Sequence, residues 1–265
     1  MILASSPRWL APPSLISESV AQQTSVVRLP QFLSGDDIER LFAAADAVRL
    51  DLERAGKVGL HDLAYRQSSP KRTWETVFLN HRLDELLPEL HSSLFAAARS
   101  VDAREGWELL GAGRHPLSFR VAELHTVRPG GALPSPTHFD HGSLITLDLM
   151  LSDPGEDFEG GQLQTLETDG SVLSHPFERG DLVLFQSHKY HSVTPVTRGT
   201  RRVCVLEIWE GLPRRCPRRC TDPWGPCTCQ FAVTPPVYRA RGGSEFFVPA
   251  SMLGMLREAA RTDPE

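Results

Sequence analysis

Apolar side chains recur at Ile38, Leu41, Phe42 and Ala45, the i, i+3, i+4, i+7 spacing of a helix with one buried stripe. Just upstream, Ser34-Gly35-Asp36-Asp37 offers a capping hydroxyl with an acid three residues on, so the helix is expected to start there. A second helix is expected over Leu83 to Ala98, with Leu86, Leu90 and Ala97 turned to the core and Pro88 tolerable only in its first turn. Thr73 to Leu79 reads as a strand. From Leu117 onward the period shortens. Strands are expected at Phe119 to Leu124, Gln162 to Leu166, Val172 to Ser174, Leu182 to Phe185 and Val203 to Trp209, separated by Gly and Asp turns. Leu144 to Leu151 is mostly apolar, as a strand buried on both faces would be. The fold class is therefore mainly β with flanking helices, a sandwich or barrel rather than alternating βα units.

The same pattern divides the chain. Residues 1–24, with Pro7, Pro12 and Pro13, read as a tail; 25–212 form one principal domain; 213–265 are a Cys-, Pro- and Arg-rich extension ending in a short helical stretch near Met252, Leu253, Leu256 and Ala260. Gly56 to Arg72 is polar and turn-rich, suited to a loop over a site. A formal net charge of -5 argues against a nucleic-acid binder, whose footprint is basic. No apolar run approaches the roughly 20 residues that span a bilayer, so no membrane is expected. The first residues lack a basic leader with an apolar core, which points to the cytoplasm, with an organelle transit peptide as the alternative.

The candidate chemistry lies in Thr137-His138-Phe139-Asp140 and, far downstream, Tyr190-His191-Ser192-Val193-Thr194-Pro195 with Gly199-Thr200-Arg201. Residues i and i+2 of a strand share a face, so His138 and Asp140 are expected to grip one metal ion while Phe139 packs behind them. A third ligand from a distant strand completes two histidines and one carboxylate, a facial set that leaves the other side of the metal open. Among ten histidines a lone His-x-Asp is weak evidence; the distal His followed by Gly-x-Arg strengthens it. His188 competes with His191 as the distal ligand, and Arg202 with Arg201 as a planar cation for a carboxylate. His141, adjacent to Asp140, is expected to face away from it on a regular strand.

These blocks resemble the prolyl-4-hydroxylase branch of the Fe(II)/2-oxoglutarate dioxygenases over about Val26 to Gly211. Val26-Val27-Arg28-Leu29-Pro30-Gln31-Phe32-Leu33-Ser34 resembles the family's entry strand and helix start. His138-Phe139-Asp140 resembles its proximal metal motif, Phe158-Glu159-Gly160-Gly161-Gln162-Leu163 its following turn, and Gly180-Asp181-Leu182-Val183-Leu184-Phe185 through Arg201 its distal block. The resemblance implies a double-stranded β-helix, iron held by His138, Asp140 and His191, and 2-oxoglutarate as cosubstrate with dioxygen. His191 stands ten residues before Arg201, the family's spacing, which assigns the far carboxylate of the keto acid to Arg201. It further implies that decarboxylation of 2-oxoglutarate is coupled to hydroxylation of a small-molecule or peptide substrate, and that ascorbate supports turnover. In related halogenases a small residue replaces the carboxylate, so Asp140 favours hydroxylation. The stretch Val127-Arg128-Pro129-Gly130-Gly131 lacks the tyrosine that peptide prolyl hydroxylases often carry there, which tells against a peptide-prolyl substrate. The competing reading is a catalytically silent β-helix protein that binds a metal or a partner.

Cys204, within Val203-Cys204-Val205-Leu206, reads as a small buried hydrophobe. Cys216, Cys220, Cys227 and Cys229 have the number for a tetrahedral zinc site, yet two disulfides or free thiols fit the same spacing. Arg214, Arg215, Arg218 and Arg219 beside them are a solvated charge run or a contact for an acidic substrate.

Overall fold

The computed structural model describes residues 18–54, 73–79, 82–111, 116–213, 237–239 and 245–247. The amino-terminal part contributes α1 (Glu18–Ala21), β1 (Val27–Leu29), α2 (Gly35–Arg54), β2 (Trp74–Phe78), α3 (Leu83–Leu86) and α4 (Pro88–Glu105). Ten strands follow: β3 (Leu117–Val127), β4 (Leu133–His138), β5 (Ile145–Met150), β6 (Phe158–Gly160), β7 (Leu163–Leu166), β8 (Val172–Ser174), β9 (Leu182–Gln186), β10 (His191–Val193), β11 (Val196–Gly199) and β12 (Arg201–Glu210). A ribbon of β13 (Val237–Arg239) and β14 (Glu245–Phe247) lies further along the chain.

The α2 start follows the capping logic. The Asp37 amide donates to Ser34 Oγ at 3.2 Å, and the Ser34 amide donates back to Asp37 Oδ2 at 3.1 Å, which closes a capping box. Ile38, Leu41 and Ala45 are buried as the stripe requires. The second helix differs from its expectation. It breaks at Leu87, because a residue before proline is pushed out of helical backbone geometry, and Leu87 has φ -138 and ψ 60. Pro88 then opens α4 at its first position, where a missing N–H costs nothing. The fully buried side chains of α4 are Leu94, Ala98 and Val101, while Leu86, Leu90 and Ala97 are only partly buried beside them.

Two antiparallel sheets face each other, in strand order β1-β9-β5-β12-β3-β2 and β4-β10-β7-β8, with a β11-β6 ribbon alongside. This is a double-stranded β-helix. Strand alternation sorts the long central strands into two layers. Leu147 and Leu149 of β5 sit in register with Leu206 and Cys204 of β12, and all four join the core under the helices. The other face of the same strands carries Thr146, Asp148 and Met150 on β5 and Arg201, Val203, Val205 and Glu207 on β12. That inner face meets the smaller sheet, where Phe158, Leu163, Phe177, Phe185, Val193 and Val196 build a second apolar cluster. β5 is buried at every position, as its composition suggests, but its inner face is partly polar. Within the stretch read as a tail, Gln22 is buried and packs beside β10. Its side-chain amide donates to the His188 carbonyl at 2.7 Å, and its Oε1 accepts from the Tyr190 amide at 2.8 Å. Among the described residues no helix is long and apolar enough to cross a membrane.

Candidate metal centre

His138 closes β4 and His191 opens β10, and the two lie directly opposite each other in register. β4 ends there, so Asp140 is held by the loop instead: its amide donates to the Ser187 carbonyl at 2.8 Å. The expectation of two ligands on one regular strand with Phe139 packed behind them is corrected accordingly. The turn brings Asp140 inward and leaves Phe139 half-buried, its ring 5.3 Å from that of His188 and 5.9 Å from that of His141.

The three side chains converge. His138 Nε2 lies 3.3 Å from Asp140 Oδ1, and His191 Nε2 lies 3.7 Å from Asp140 Oδ2. One candidate ligand atom from each residue falls within 4.8 Å of the other two. Adjacent ligands of an octahedral ion with bonds of about 2.1 Å stand roughly 3 Å apart, so the spacing fits a small transition-metal ion. Two nitrogens and one carboxylate oxygen are also the donor chemistry of a non-haem iron site. Neighbours aim the donors. The His191 Nδ1 is 3.0 Å from the Lys189 carbonyl, which accepts only from Nδ1–H and so leaves the Nε2 lone pair toward Asp140. Thr146 donates its hydroxyl to Asp140 Oδ2 at 2.7 Å and also meets Ser187 Oγ at 2.9 Å.

The sequence rivals fall elsewhere. The His188 and His141 rings stack on each other, centroids 6.4 Å apart and planes 11° from parallel, outside the converging group. Arg202 is exposed and lies over the Phe42 ring of α2 at 5.6 Å. Arg201 is buried in the interior between the sheets, 1% exposed, and its Nε has no hydrogen-bond partner. Gly161, at φ 60, makes room for it: a Cβ there would stand 2.7 Å from Arg201 Cδ. Burial lowers the Arg201 guanidinium to about 10, against the opposing pull of Asp148. Burial also raises Asp148 to about 7; Arg201 opposes that rise, while Asp140 and Glu207 add to it.

Several residues at this site escaped the sequence reading. Thr146 and Asp148 interrupt an apolar run at alternate positions, which is the signal of a strand whose inner face lines a pocket. Lys189 is 1% exposed, with its ammonium 3.0 Å from Glu167 Oε2 and 2.9 Å from the Gln22 carbonyl. Glu207, buried on β12, accepts from Ser143 Oγ at 2.5 Å and from Arg120 at 3.2 Å. His125 accepts from Trp74 Nε1 at 3.0 Å and lies 3.2 Å from Glu123. Cys204 is buried, as expected, and burial raises its thiol. Cys216, Cys220, Cys227 and Cys229, the arginines at 214, 215, 218 and 219, the loop from Gly56 to Arg72 and the helical stretch near Met252 lie outside the described residues.

The fold is thus an antiparallel double-stranded β-helix whose interior brings two histidines and an aspartate together as a candidate metal centre. Residues 121–209 match the family model of the 2OG-Fe(II) oxygenase superfamily. The chain is 33% identical over 120 residues to a PKHD-type hydroxylase of Teredinibacter turnerae, a match covering 38% of this chain and 51% of that protein. It is 41% identical over 69 residues to a PKHD-type hydroxylase of Prochlorococcus marinus, covering 26% and 30% respectively. The chain thus spans about half or less of the length of these curated relatives. A solved prolyl-4-hydroxylase from Pseudomonas putida aligns over 73% of this chain and 99% of its own, at 16% identity and a TM-score of 0.47.

Proposed function

We propose that this chain is an Fe(II)- and 2-oxoglutarate-dependent dioxygenase that hydroxylates an amino-acid side chain, in a protein or free, or another small molecule. In this reading His138, Asp140 and His191 hold the iron, and Arg201 holds the far carboxylate of the cosubstrate. The observation that carries it is the buried Arg201 guanidinium, its Nε without a partner, on the wall of the interior that also holds the two histidines and the aspartate. Desolvating a guanidinium is costly unless an anion meets it, and a dicarboxylate fixed at its other end to a metal is an anion of the right form. Fe(II), with 2-oxoglutarate and dioxygen, supplies the oxidising chemistry as the keto acid is decarboxylated. The chain's own residues do the positioning: Thr146 and the Lys189 carbonyl aim two of the donors, and the apolar cluster around Phe185 and Val193 excludes water. The hydroxylase names of the similar proteins support hydroxylation as the outcome. Ascorbate is assigned the role of keeping the iron ferrous.

Anaerobic addition of Fe(II) and then 2-oxoglutarate tests the reading. A weak visible charge-transfer band that needs both additions is expected. A chain that binds Fe(II) and gives no such band is a metal-binding β-helix without this activity.

A further inference from the structure

Asp148 and Arg201 are both buried on the inner face of the larger sheet, 6% and 1% exposed. Each is the other's opposing charge, yet among the described residues neither side chain makes a hydrogen bond or a direct ion pair. The floor beside them is open. Val205 is in register with Asp148 on one side and Glu123 on the other, in the middle of a strand paired along both edges, and it is only half-buried.

Charge then decides how Asp148 meets a ligand. An iron(II) ion, the Asp140 carboxylate, a dianionic keto acid and Arg201 already balance to neutrality. A second carboxylate in the same desolvated space would add an uncompensated charge, and two carboxylates sharing one site hold a proton between them. We propose that Asp148 is a second cosubstrate-binding residue: its carboxyl, protonated, donates to the far carboxylate that Arg201 pairs with, so that binding of 2-oxoglutarate takes up one proton from solvent. This rests on the reading of the site given above.

The position of the free carboxyl near neutrality, about 7, leaves room for that uptake. The charged and titratable groups on the elements around Asp148 are Arg201 and Glu207 on β12, Glu123 and His125 on β3, His138 and Asp140 at the end of β4, and His191 on β10. Neighbouring β9 presents Val183 and Phe185 on the inner face, which do not titrate. Saturating the metal site removes the two histidines and Asp140 from the balance, because ligation holds them deprotonated.

The test is calorimetric titration of 2-oxoglutarate into the full chain saturated with Mn(II), from about pH 6 to about pH 9, in two buffers of different ionisation heat. Uptake approaching one proton is expected on the alkaline side of the free carboxyl's titration, with affinity weakening there by up to about tenfold per pH unit. Asp148→Asn keeps a donor and cannot titrate; it is expected to bind at the wild type's low-pH affinity with a flat profile. Asp148→Leu, without the donor, is expected to bind more weakly at every pH, also flat. Unchanged Mn(II) affinity in both variants shows that they are folded. Binding by the wild type without proton uptake, or an Asn variant that keeps the slope, overturns the role of Asp148 and leaves Arg201 untouched. Mn(II) binding with no 2-oxoglutarate binding at any pH overturns the cosubstrate reading itself, and this inference with it.

Discussion

Thr146 and Asp140 are joined by a 2.7 Å hydrogen bond between two buried side chains, one on a central strand and the other on the loop that leaves β4. With the Asp140 amide bound to Ser187, this bond fixes which carboxylate oxygen is left for a metal. Partners that orient ligands in this way typically account for about 10- to 100-fold in metal affinity. Thr146→Val, which keeps the shape and removes the hydroxyl, is expected to weaken Mn(II) or Fe(II) binding by about tenfold or more, while Thr146→Ser stays near wild type. Metal titration followed by calorimetry decides it.

The distal assignment is tested by a pair of variants. His191→Ala is expected to lose tight metal binding and all coupled turnover, because His191 Nε2 is one of three converging donors. His188→Ala is expected to keep both, since its ring stacks against His141 and Phe139 instead. A dead His188→Ala beside an active His191→Ala would reverse the assignment.

Arg201→Ala is expected to raise the apparent KM for 2-oxoglutarate by about 30-fold or more, the equivalent of at least about 2 kcal/mol for one side of a desolvated charge pair. The KM for the primary substrate should move far less. Arg201→Lys restores the charge without the fork and is expected to recover part of the loss. Arg202→Ala, which removes an exposed side chain over Phe42, should leave both constants alone.

Glu167→Ala strips a buried ammonium of its partner and is expected to destabilise the fold by about 3 kcal/mol, read as a shift in the urea midpoint. The pH dependence has a definite sign. Burial pushes the Glu167 carboxyl up, but the hydrogen bonds from Thr165 and Lys189 outweigh it and hold the group below its usual range. A lowered carboxyl stabilises the fold above its ordinary value of 4.5 and loses that contribution as the pH falls through the folded value. The wild type should therefore lose more stability than Glu167→Ala on going from neutral to acidic pH.

The four clustered cysteines give the last test. The sequence from Cys216 to Cys229 has little apolar content beyond Trp224, and we propose zinc at Cys216, Cys220, Cys227 and Cys229. Elemental analysis of the wild type is expected to find zinc that is lost in Cys216→Ser, Cys220→Ser without loss of iron binding. Four freely titrating thiols and no zinc would dispose of the zinc and the disulfide alternatives together.

The strands legible in the sequence are β2, β3, β5, β7, β8, β9 and β12, and in β5, β9 and β12 an unbroken apolar face makes composition and burial say the same thing. The first part of β4 is not among the strands read from sequence, because Pro134 and Pro136 interrupt it. Proline is tolerated there because β4 is the edge of its sheet, where an unpaired position needs no N–H. The convergence of His138, Asp140 and His191 is legible from their spacing and from the glycine and arginine that follow. Asp148 is legible only through its alternation with Thr146, which marks an inner face and not what that face meets. Lys189 is hidden for a similar reason: lysine is usually exposed, and its burial depends on Glu167 and Gln22, which are remote in sequence.

Gln22 gives the beginning of the chain a hand in a candidate metal site almost 170 positions later. Its amide and carbonyl groups clasp the backbone on both sides of Lys189, and the Lys189 carbonyl in turn steers the His191 ring. The distal histidine therefore hangs from a strap anchored in the first turn of helix and not from its own short strand alone. Trimming the chain to residue 25 would remove no ligand and no cosubstrate contact, and would still slacken one of the three grips on the ion. The support of the candidate metal site therefore reaches well upstream of residue 121, where the family match begins.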